Sequence, residues 1–444
     1  MNIPKIDGIY NPRFHHKTQL YQIVKNNLDE FIKVYPEKFA KDYGELRPEV
    51  EKSFRSFLEC GNPEDGFAIY ECPHCHLNLI VPYSCKNFIC PSCSERRTLE
   101  WGAWLIDELL YDIPHYFITF TMPQSIRSHF FTNRWLIPYL ERSIADILMY
   151  YMSENSEKKG AIPGIIIIPQ TFGERLNANI HFHLLVTTAT IDNATGGCYA
   201  TRLPDFYQLR QVWKSKVLKL LLNMKIITHS EYVKIYKVYT KGFHIHISQP
   251  ENQDIYISEG KPKRMDILAN IGRYLVRTPL SETRIVKYDI VKKLVTIKYK
   301  RYEFDENSKL QKLNQPGFET MSGLELPARL SLHIPVPRKH KITYHGAYST
   351  RFRSEYKKSG YKPNTTTKNK LRVECNKKWR ELIYRVYQDD PLACPGCNNE
   401  LVLKDLITGK EAKRELRRLK IDYFYYRYNN EVKKTKIKAI FDTS

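Results

Sequence analysis

Apolar positions recur at helical intervals in several long segments of the chain. Within residues 18–59, Leu20, Ile23, Val24 and Leu28 follow one another at spacings of one, three and four, which is typical of a helix with one buried face. The same criterion predicts helices over residues 95–110, 131–153, 206–240 and 265–277.

Shorter apolar runs rich in β-branched and aromatic residues predict strands. They are YFITFTMP (116–123), IIIIPQTF (165–172), NIHFHLLV (179–186) and FHIHI (243–247), with a β-hairpin over 285–304. GERLNA, between the second and third runs, predicts a hairpin turn. Helices and antiparallel hairpins in irregular alternation favour an α+β fold.

Changes in composition divide the chain into three predicted domains. Residues 1–111 are helical and cysteine-rich, residues 112–305 carry the sheet, and residues 306–444 are basic. Polar stretches at 305–317 and 362–370 have the composition of linkers.

The net charge narrows the choice of partner. The chain has 444 residues, 42% hydrophobic and 13% aromatic, and a formal charge of +22. This excess predicts a polyanionic partner, either nucleic acid or an anionic membrane surface. We find no run of about 18 apolar residues and no apolar segment typical of a secretory signal near the N-terminus. We therefore expect an intracellular protein that faces nucleic acid and does not enter a membrane.

The cysteines predict a zinc site. Of ten, five lie between Cys72 and Cys93, in a compartment where disulfides are rare. CPHC and CPSC are paired CxxC motifs, so Cys72, Cys75, Cys90 and Cys93 are the predicted ligands of one structural Zn²⁺.

Other assignments of these thiols stay open. Cys60 and Cys85 are alternate ligands, and with His74 and His76 the region has enough donors for two sites. The third motif, CPGC (Cys394–Cys397), has no matching pair downstream. It is a solitary knuckle, completes a site with distant residues, or binds nothing, and the sequence does not assign a site there.

The strand NIHFHLLV raises a second metal question. Residues i and i+2 of a strand share a face, so His181 and His183 can chelate one ion while Phe182 is buried on the other face. If the GERLNA hairpin is regular, Gln170 lies opposite His181 and supplies a third ligand to Mg²⁺ or Mn²⁺. Such a pair is more often two ordinary half-buried histidines, and His244 and His246 have the same spacing.

A phosphoryl-transfer site without a nucleotide needs its own nucleophile. The sequence has no GxxxxGK[ST] motif. In NIGRYLVRTP, Tyr274 and Arg277 are three residues apart on a predicted helix, so both can face one phosphate. With 31 tyrosines in the chain, this signal alone is weak.

Taken together, these motifs resemble the bacterial rolling-circle transposases whose prototype is insertion sequence 91, in the His-hydrophobic-His endonuclease superfamily. The similarity runs from about Tyr10 to about residue 400. Its markers are YGELRPEVEKSFRSFLECG, SCKNFICPSC, FITFTMP, QTFGERLNANIHFHLLV, NIGRYLVRTPLSETRIVKYD, SLHIPVPRKHKITYHGAYSTRFR and DPLACPGC.

The resemblance implies which residues carry the chemistry. It places the catalytic metal pair on His181 and His183 and the nucleophile on Tyr274. Some relatives have two tyrosines four residues apart, whereas this chain has Asn270 at the earlier position, which implies a single-tyrosine member. The implied fold is a ferredoxin-like antiparallel nuclease sheet, with FITFTMP as the neighbouring central strand, after an N-terminal zinc-binding module.

The expected function is DNA transposition through a 5′-phosphotyrosine intermediate. The partner is DNA, mainly single-stranded transposon ends and target, in the bacterial cytoplasm near the nucleoid; a host helicase and the oligomeric state stay open. Residues 338–380 contain fourteen Lys or Arg and two Glu, with interleaved tyrosines that suit unpaired bases. The candidate DNA contacts are Arg338, Lys339, Lys341, Arg351 and Arg353.

Two other functions share these features. One is a catalytically inactive, zinc-containing nucleic-acid-binding protein. The other is a plasmid replication initiator or relaxase with the same chemistry.

Overall fold

The computed structural model describes most of the chain as helices and antiparallel sheets. The described residues are 17–105, 109–111, 113–248, 278–304, 310–337, 340–358, 380, 384, 390–418 and 437–439. The α+β class predicted from the sequence is confirmed. No helix among the described residues is both long and apolar enough to cross a membrane.

Helices overlap the predicted segments 18–59, 95–110, 131–153 and 206–240, whereas the segment 265–277 lies outside the described residues. Thr18 caps the first helix, because its side chain accepts a hydrogen bond from the Tyr21 backbone N–H. Two further helices follow before residue 59. The helices are α1 (Gln19–Lys38), α2 (Ala40–Tyr43), α3 (Pro48–Leu58), α4 (Pro91–Trp104), α5 (Gln124–Thr132), α6 (Ile137–Glu154), α7 (Phe206–Asn223), α8 (His229–Val238), α9 (Glu325–Ser331), α10 (Thr350–Lys358) and α11 (Gly409–Arg418).

Fifteen strands in the described part of the chain form four sheets. They are β1 (Gly66–Glu71), β2 (Asn78–Pro82), β3 (His115–Thr121), β4 (Ile162–Phe172), β5 (Ala178–Ile191), β6 (Cys198–Ala200), β7 (Ile245–Ser248), β8 (Ile285–Asp289), β9 (Leu294–Tyr299), β10 (Tyr302–Phe304), β11 (Leu310–Lys312), β12 (Gly317–Ser322), β13 (Thr343–Gly346), β14 (Val402–Thr408) and β15 (Ile437–Ala439).

The structured chain divides into two compact units, each discontinuous in sequence. The first comprises Met1–Trp101, Arg277–Ile334 and Leu371–Ser444, and the second Gly102–Val276 and Pro335–Lys370. This division differs from the three consecutive predicted domains. The reason is non-local strand pairing, which has no signature in the local sequence: β14 pairs with β1, and β13 with β4.

The first unit joins helices α1–α3 to small sheets. Its four-stranded sheet has the order β14-β1-β2-β15, and β12-β9-β8 form another. Buried aromatic side chains hold α1 against α3, and the rings of Phe31 and Phe54 lie 6.0 Å apart in an edge-on contact. The hairpin predicted over 285–304 is confirmed by the antiparallel pairing of β8 with β9.

The second unit is a six-stranded sheet packed against helices on one face. The strand order is β13-β4-β5-β3-β7, with β6 paired to β5. Alternate residues such as Ile167, Phe182 and Phe120 lie in one hydrophobic core with residues of α5, α6 and α7. Trp213 of α7 packs edge-on against Phe120 and donates its indole N–H to the Thr121 carbonyl at 2.7 Å. Helices α5, α6 and α7 therefore occupy one face, and the side chains of Gln170, His181 and His183 lie on the other.

Candidate functional site

Strand β5 places His181 and His183 together on one face in the middle of the six-stranded sheet. Their rings lie 4.7 Å apart, nearly perpendicular at 80°. Only 8% of His181 and 6% of His183 is exposed, while Phe182 between them is fully buried in the core of the opposite face. The two imidazoles are therefore a closely packed polar pair on a rigid strand.

The two strands beside β5 complete a polar row. Gln170 of β4 pairs with His181, as the hairpin predicted, and is 1% exposed. On the other side, Thr121 and Thr119 of β3 pair with His181 and His183. The predicted position of Gln170 opposite His181 is thus confirmed, and one amide and two imidazoles meet on the same sheet face.

Hydrogen bonds orient both imidazole rings. The carbonyl of Asn179 can only accept, so His181 donates from Nδ1 at 2.9 Å and carries its lone pair on Nε2. His183 Nδ1 lies 3.1 Å from Thr119 Oγ1, and a hydroxyl that accepts there fixes the same tautomer. Metal-binding histidines commonly donate their second N–H to a carbonyl or hydroxyl in this way, so these residues fit a divalent cation.

The second His-x-His pair occupies a different position. His244 and His246 lie at the edge strand β7 and are exposed, although His246 pairs with Thr119 in the same row. A central strand provides neighbours on both sides, which an edge strand lacks. Burial and neighbouring polar groups therefore favour His181 and His183 as the chelating pair.

Tyr274 and Arg277, the predicted nucleophile and its partner, lie outside the described residues. Arg338 and Lys339 do so as well. Among the other candidate DNA contacts, Arg351 is exposed on α10, and the guanidinium of Arg353 lies 5.8 Å from the centre of the Trp104 ring.

One group of cysteines lies at the start of α4. The sulfurs of Cys60, Cys85, Cys90 and Cys93 all lie within 4.8 Å of one another. Cys93 is 3.6 Å from Cys60 and 3.5 Å from Cys85. Contacts from the other three thiols lower the pKa of Cys93 well below its usual range, which favours the thiolate that binds metal.

A second group lies beside the first sheet. The sulfurs of Cys72, Cys75, Cys394 and Cys397 likewise lie within 4.8 Å of one another. Cys72 is 3.4 Å from Cys397, and Cys75 is 3.5 Å from Cys394. Each group provides the four thiolates of a closed tetrahedral zinc site.

This arrangement corrects the grouping predicted from the sequence. Cys72 and Cys75 do not share a group with Cys90 and Cys93, because β2 separates the two motifs. The alternates Cys60 and Cys85 join Cys90 and Cys93 instead. The Gly61 backbone N–H donates to the Tyr83 carbonyl at 3.0 Å, which holds the segments carrying Cys60 and Cys85 side by side.

For the distal motif, the structure agrees with the alternative of a group completed by distant residues. No site was predicted for Cys394 and Cys397, yet β14 follows them directly and pairs with β1, which precedes Cys72. The two histidines of the two-site alternative are in neither group; His76 instead faces Glu71 at 3.7 Å. Eight cysteines in five short segments were the available signal, since two Cys₄ sites need eight thiolates.

Two family models match the chain. Residues 30–122 match a transposase zinc-binding domain, which includes the first cysteine group, and residues 164–356 match a putative transposase, which includes Gln170, His181 and His183. Together the two models span well over half of the sequence. The chain belongs to the insertion-sequence-91 family of transposases.

Curated relatives cover most of this transposase. The transposase for insertion sequence element IS801 of Pseudomonas savastanoi pv. phaseolicola is 27% identical over 329 residues, which are 70% of this chain and 73% of that protein. The putative transposase y4qJ of Sinorhizobium fredii (strain NBRC 101917 / NGR234) is 22% identical over 340 residues, which are 73% of this chain and 81% of that protein. No solved structure matches the transposase.

Proposed function

We propose that this transposase nicks and rejoins single-stranded DNA at transposon ends through a 5′-phosphotyrosine intermediate, as in rolling-circle transposition. The observation that carries the proposal is the buried row of Gln170, His181 and His183, with His181 oriented by the Asn179 carbonyl. A purely structural histidine pair has no need of a third polar ligand in register beside it.

The proposed ligands hold Mg²⁺ or Mn²⁺ through two imidazole nitrogens and the amide oxygen of Gln170. The bound ion supplies charge neutralisation at the scissile phosphate and alignment for in-line displacement. The Asn179 carbonyl keeps His181 in the ligating tautomer, and the Thr119 hydroxyl holds the ring of His183 through Nδ1. The chain thereby fixes both rings before DNA arrives.

Tyr274 is the proposed nucleophile. Its phenolic oxygen forms a bond to the scissile phosphorus, the bond from phosphorus to the 3′ oxygen breaks, and that oxygen takes up a proton as a 3′-hydroxyl. The 3′-hydroxyl of a second strand later reverses the step and releases the tyrosine. Because one phosphodiester is exchanged for another, rejoining needs no ATP. Arg277 is proposed to bind the scissile phosphate and neutralise its negative charge.

The topology supports a ferredoxin-like nuclease core. Strands β3, β4, β5 and β7 stand in the order β4-β5-β3-β7, all neighbours are antiparallel, and helices connect β3 to β4 and β5 to β7. This is the β-α-β-β-α-β arrangement, with β13 added beside β4.

The remaining modules have proposed roles in binding zinc and DNA. The first cysteine group binds a structural Zn²⁺ in the N-terminal module. The basic C-terminal region, through Arg338, Lys339, Lys341, Arg351 and Arg353, binds the DNA backbone, since Lys and Arg neutralise phosphates.

Covalent trapping tests the proposal. The full chain is incubated with Mn²⁺ and labelled single-stranded oligonucleotides that span the transposon ends. We expect a denaturation-resistant protein–DNA adduct that requires the metal and is lost in Tyr274→Phe. Tyr207→Phe is the matched control, because Tyr207 is 59% exposed on α7, and it should retain the adduct.

Other outcomes identify the alternatives. DNA binding by wild type and Tyr274→Phe without any adduct would favour the inactive binding protein. An adduct that persists in Tyr274→Phe would move the nucleophile to another tyrosine. Adduct formation only on a plasmid origin, and not on transposon ends, would favour the replication initiator or relaxase.

A further inference from the structure

The two cysteine motifs of the second group fold into the same backbone loop. In each, the first cysteine donates its N–H to the carbonyl five residues on, Cys72 to Leu77 and Cys394 to Asn399, both at 2.8 Å. The carbonyl of that first cysteine accepts a hydrogen bond from the backbone N–H four residues on, from His76 at 2.9 Å and from Asn398 at 2.8 Å.

The backbone conformation of the two loops is also the same. The residue after the second cysteine has a positive φ in both, 55° at His76 and 62° at Asn398. This conformation costs energy for a residue with a side chain, so its recurrence marks a constraint common to both loops. Each loop presents two sulfurs on one side, as one half of a tetrahedral site requires.

The sulfur positions agree with a shared metal ion. Four sulfurs bound tetrahedrally at about 2.3 Å from zinc lie about 3.8 Å from one another. Here Cys72–Cys397, Cys75–Cys394 and Cys75–Cys397 are separated by 3.4, 3.5 and 3.6 Å. Backbone N–H donation from Gly396 to the Cys394 sulfur at 3.4 Å further favours the thiolate.

The hydrophobic core around these loops is small. Its buried members besides Cys72 and Cys394 are Leu79, Val81, Leu392 and Leu401. Six of the seven residues of β14, which pairs with β1, are exposed. With so small a core, four cysteines that bind one ion would add substantially to the pairing of β14 with β1 in holding this segment in place.

We propose that Cys72, Cys75, Cys394 and Cys397 bind a second structural zinc ion, which fastens the segment carrying β14 to strands β1 and β2. Cys75 and Cys394 are 319 positions apart, so the ion closes a very long loop. Cys72 and Cys75 lie within the range matched by the zinc-binding domain, whereas Cys394 and Cys397 lie beyond both matched ranges. The proposal does not depend on Tyr274 or on the His181–His183 pair.

Zinc content of the purified full-length protein is the first test. We expect two zinc ions per chain by inductively coupled plasma mass spectrometry, and one in the double variant Cys394→Ser/Cys397→Ser. Cys198→Ser is the matched control, because Cys198 is exposed and in neither group, and it should retain two. One zinc per wild-type chain, with no loss in the double variant, would overturn the proposal.

Two further variants separate ligand loss from misfolding. Cys397→His keeps a zinc ligand at the same position, so this variant should still bind two zinc ions per chain, whereas Cys397→Ser should bind one. With Co²⁺ in place of zinc, thiolate-to-cobalt absorption per chain should fall by about half in the double variant while far-UV circular dichroism is retained. Full cobalt absorption in that variant would contradict the assignment of ligands.

Hydrogen exchange tests the fastening role. In the double variant, backbone amides of β14 and β1 should exchange faster by about tenfold or more, whereas those of β4 and β5 should be unchanged. Unchanged exchange in β14 after measured loss of one zinc would overturn the fastening role.

Discussion

Thr119 is a positioning residue for the proposed metal site. Its hydroxyl lies 3.1 Å from His183 Nδ1 and is a hydrogen-bond partner of that ring. In Thr119→Val, which is nearly isosteric, that partner is lost while both imidazoles remain. Loss of a hydrogen bond to the second ring nitrogen of a metal-binding histidine commonly weakens metal binding by about 10- to 100-fold. The Mn²⁺ concentration for half-maximal adduct formation should therefore rise by about that factor.

Thr121→Val is the control for this prediction. Thr121 sits in the same row, opposite His181, but its hydroxyl donates to the His244 carbonyl. It should leave the Mn²⁺ requirement nearly unchanged. If both variants shift the requirement equally, Thr119 acts on the sheet and not on His183.

Glu141 gives the stability of the protein a specific pH dependence. Burial on α6 raises the pKa of this carboxyl to about 7, while a hydrogen bond with Thr343 opposes the rise. Because the folded pKa exceeds the unfolded one, the folded state holds an extra proton between pH 4.5 and pH 7. The contribution of Glu141 to stability is thus fully present below pH 4.5 and is lost as the pH rises through about 7.

Glu141→Gln should remove this dependence. Gln stays neutral at every pH. The free energy of unfolding of the variant, relative to that of wild type, should therefore increase from pH 5 to pH 8 by up to roughly 3 kcal/mol. Urea unfolding at several pH values measures the difference. Glu157→Gln, at an exposed position, should track wild type at every pH. A constant difference for Glu141→Gln would mean that Glu141 ionises normally.

At the scale of elements, β13 depends on one glycine. Gly346 ends this edge strand with φ +57°, and a Cβ there would lie 1.9 Å from the Pro163 carbonyl oxygen of β4. Gly346→Ala must therefore move the two strands apart. We expect a loss of about 2 kcal/mol or more in the free energy of unfolding.

Gly160→Ala separates conformational strain from the clash. Gly160 also has a positive φ, +85°, but a Cβ there meets nothing within 4 Å. Its substitution should cost about 1 kcal/mol, from backbone strain alone. Equal losses in both variants would show that the contact with Pro163 is relieved by a small shift.

Local elements follow from local patterns in this chain, and their pairing does so only in part. The apolar run at 165–172 and the His-x-His run both lie in strands, and the short turn between them fixes their register, so the partner of His181 could be predicted. Nothing near Thr343 indicates a strand that pairs with Ile167, because the contact forms between segments far apart in sequence.

At the scale of the whole molecule, the cysteines show the same limit. The CxxC motifs predict metal binding because two thiols separated by two residues form half of a zinc site wherever the motif lies. The sheet that joins β14 to β1 decides which CxxC motifs share a site. The spacing between Cys72 and Cys90 does not predict that strand pairing. Motif spacing thus predicted the chemistry, and tertiary structure decided the ligand sets.

The charge of the whole molecule leads to a prediction about salt. With a net charge of +22, DNA binding should weaken steeply as salt increases, because bound phosphates release counterions. If Arg351 and Arg353 each contact a phosphate of single-stranded DNA, their replacement by Gln should reduce the slope of log K against log salt by about 1.4. Fluorescence anisotropy with a labelled oligonucleotide measures this slope.

Lys216→Gln/Lys219→Gln removes the same charge from exposed positions on α7 and should leave the slope nearly unchanged. Equal reductions in both variants would show that diffuse charge drives binding and that Arg351 and Arg353 lie off the DNA path.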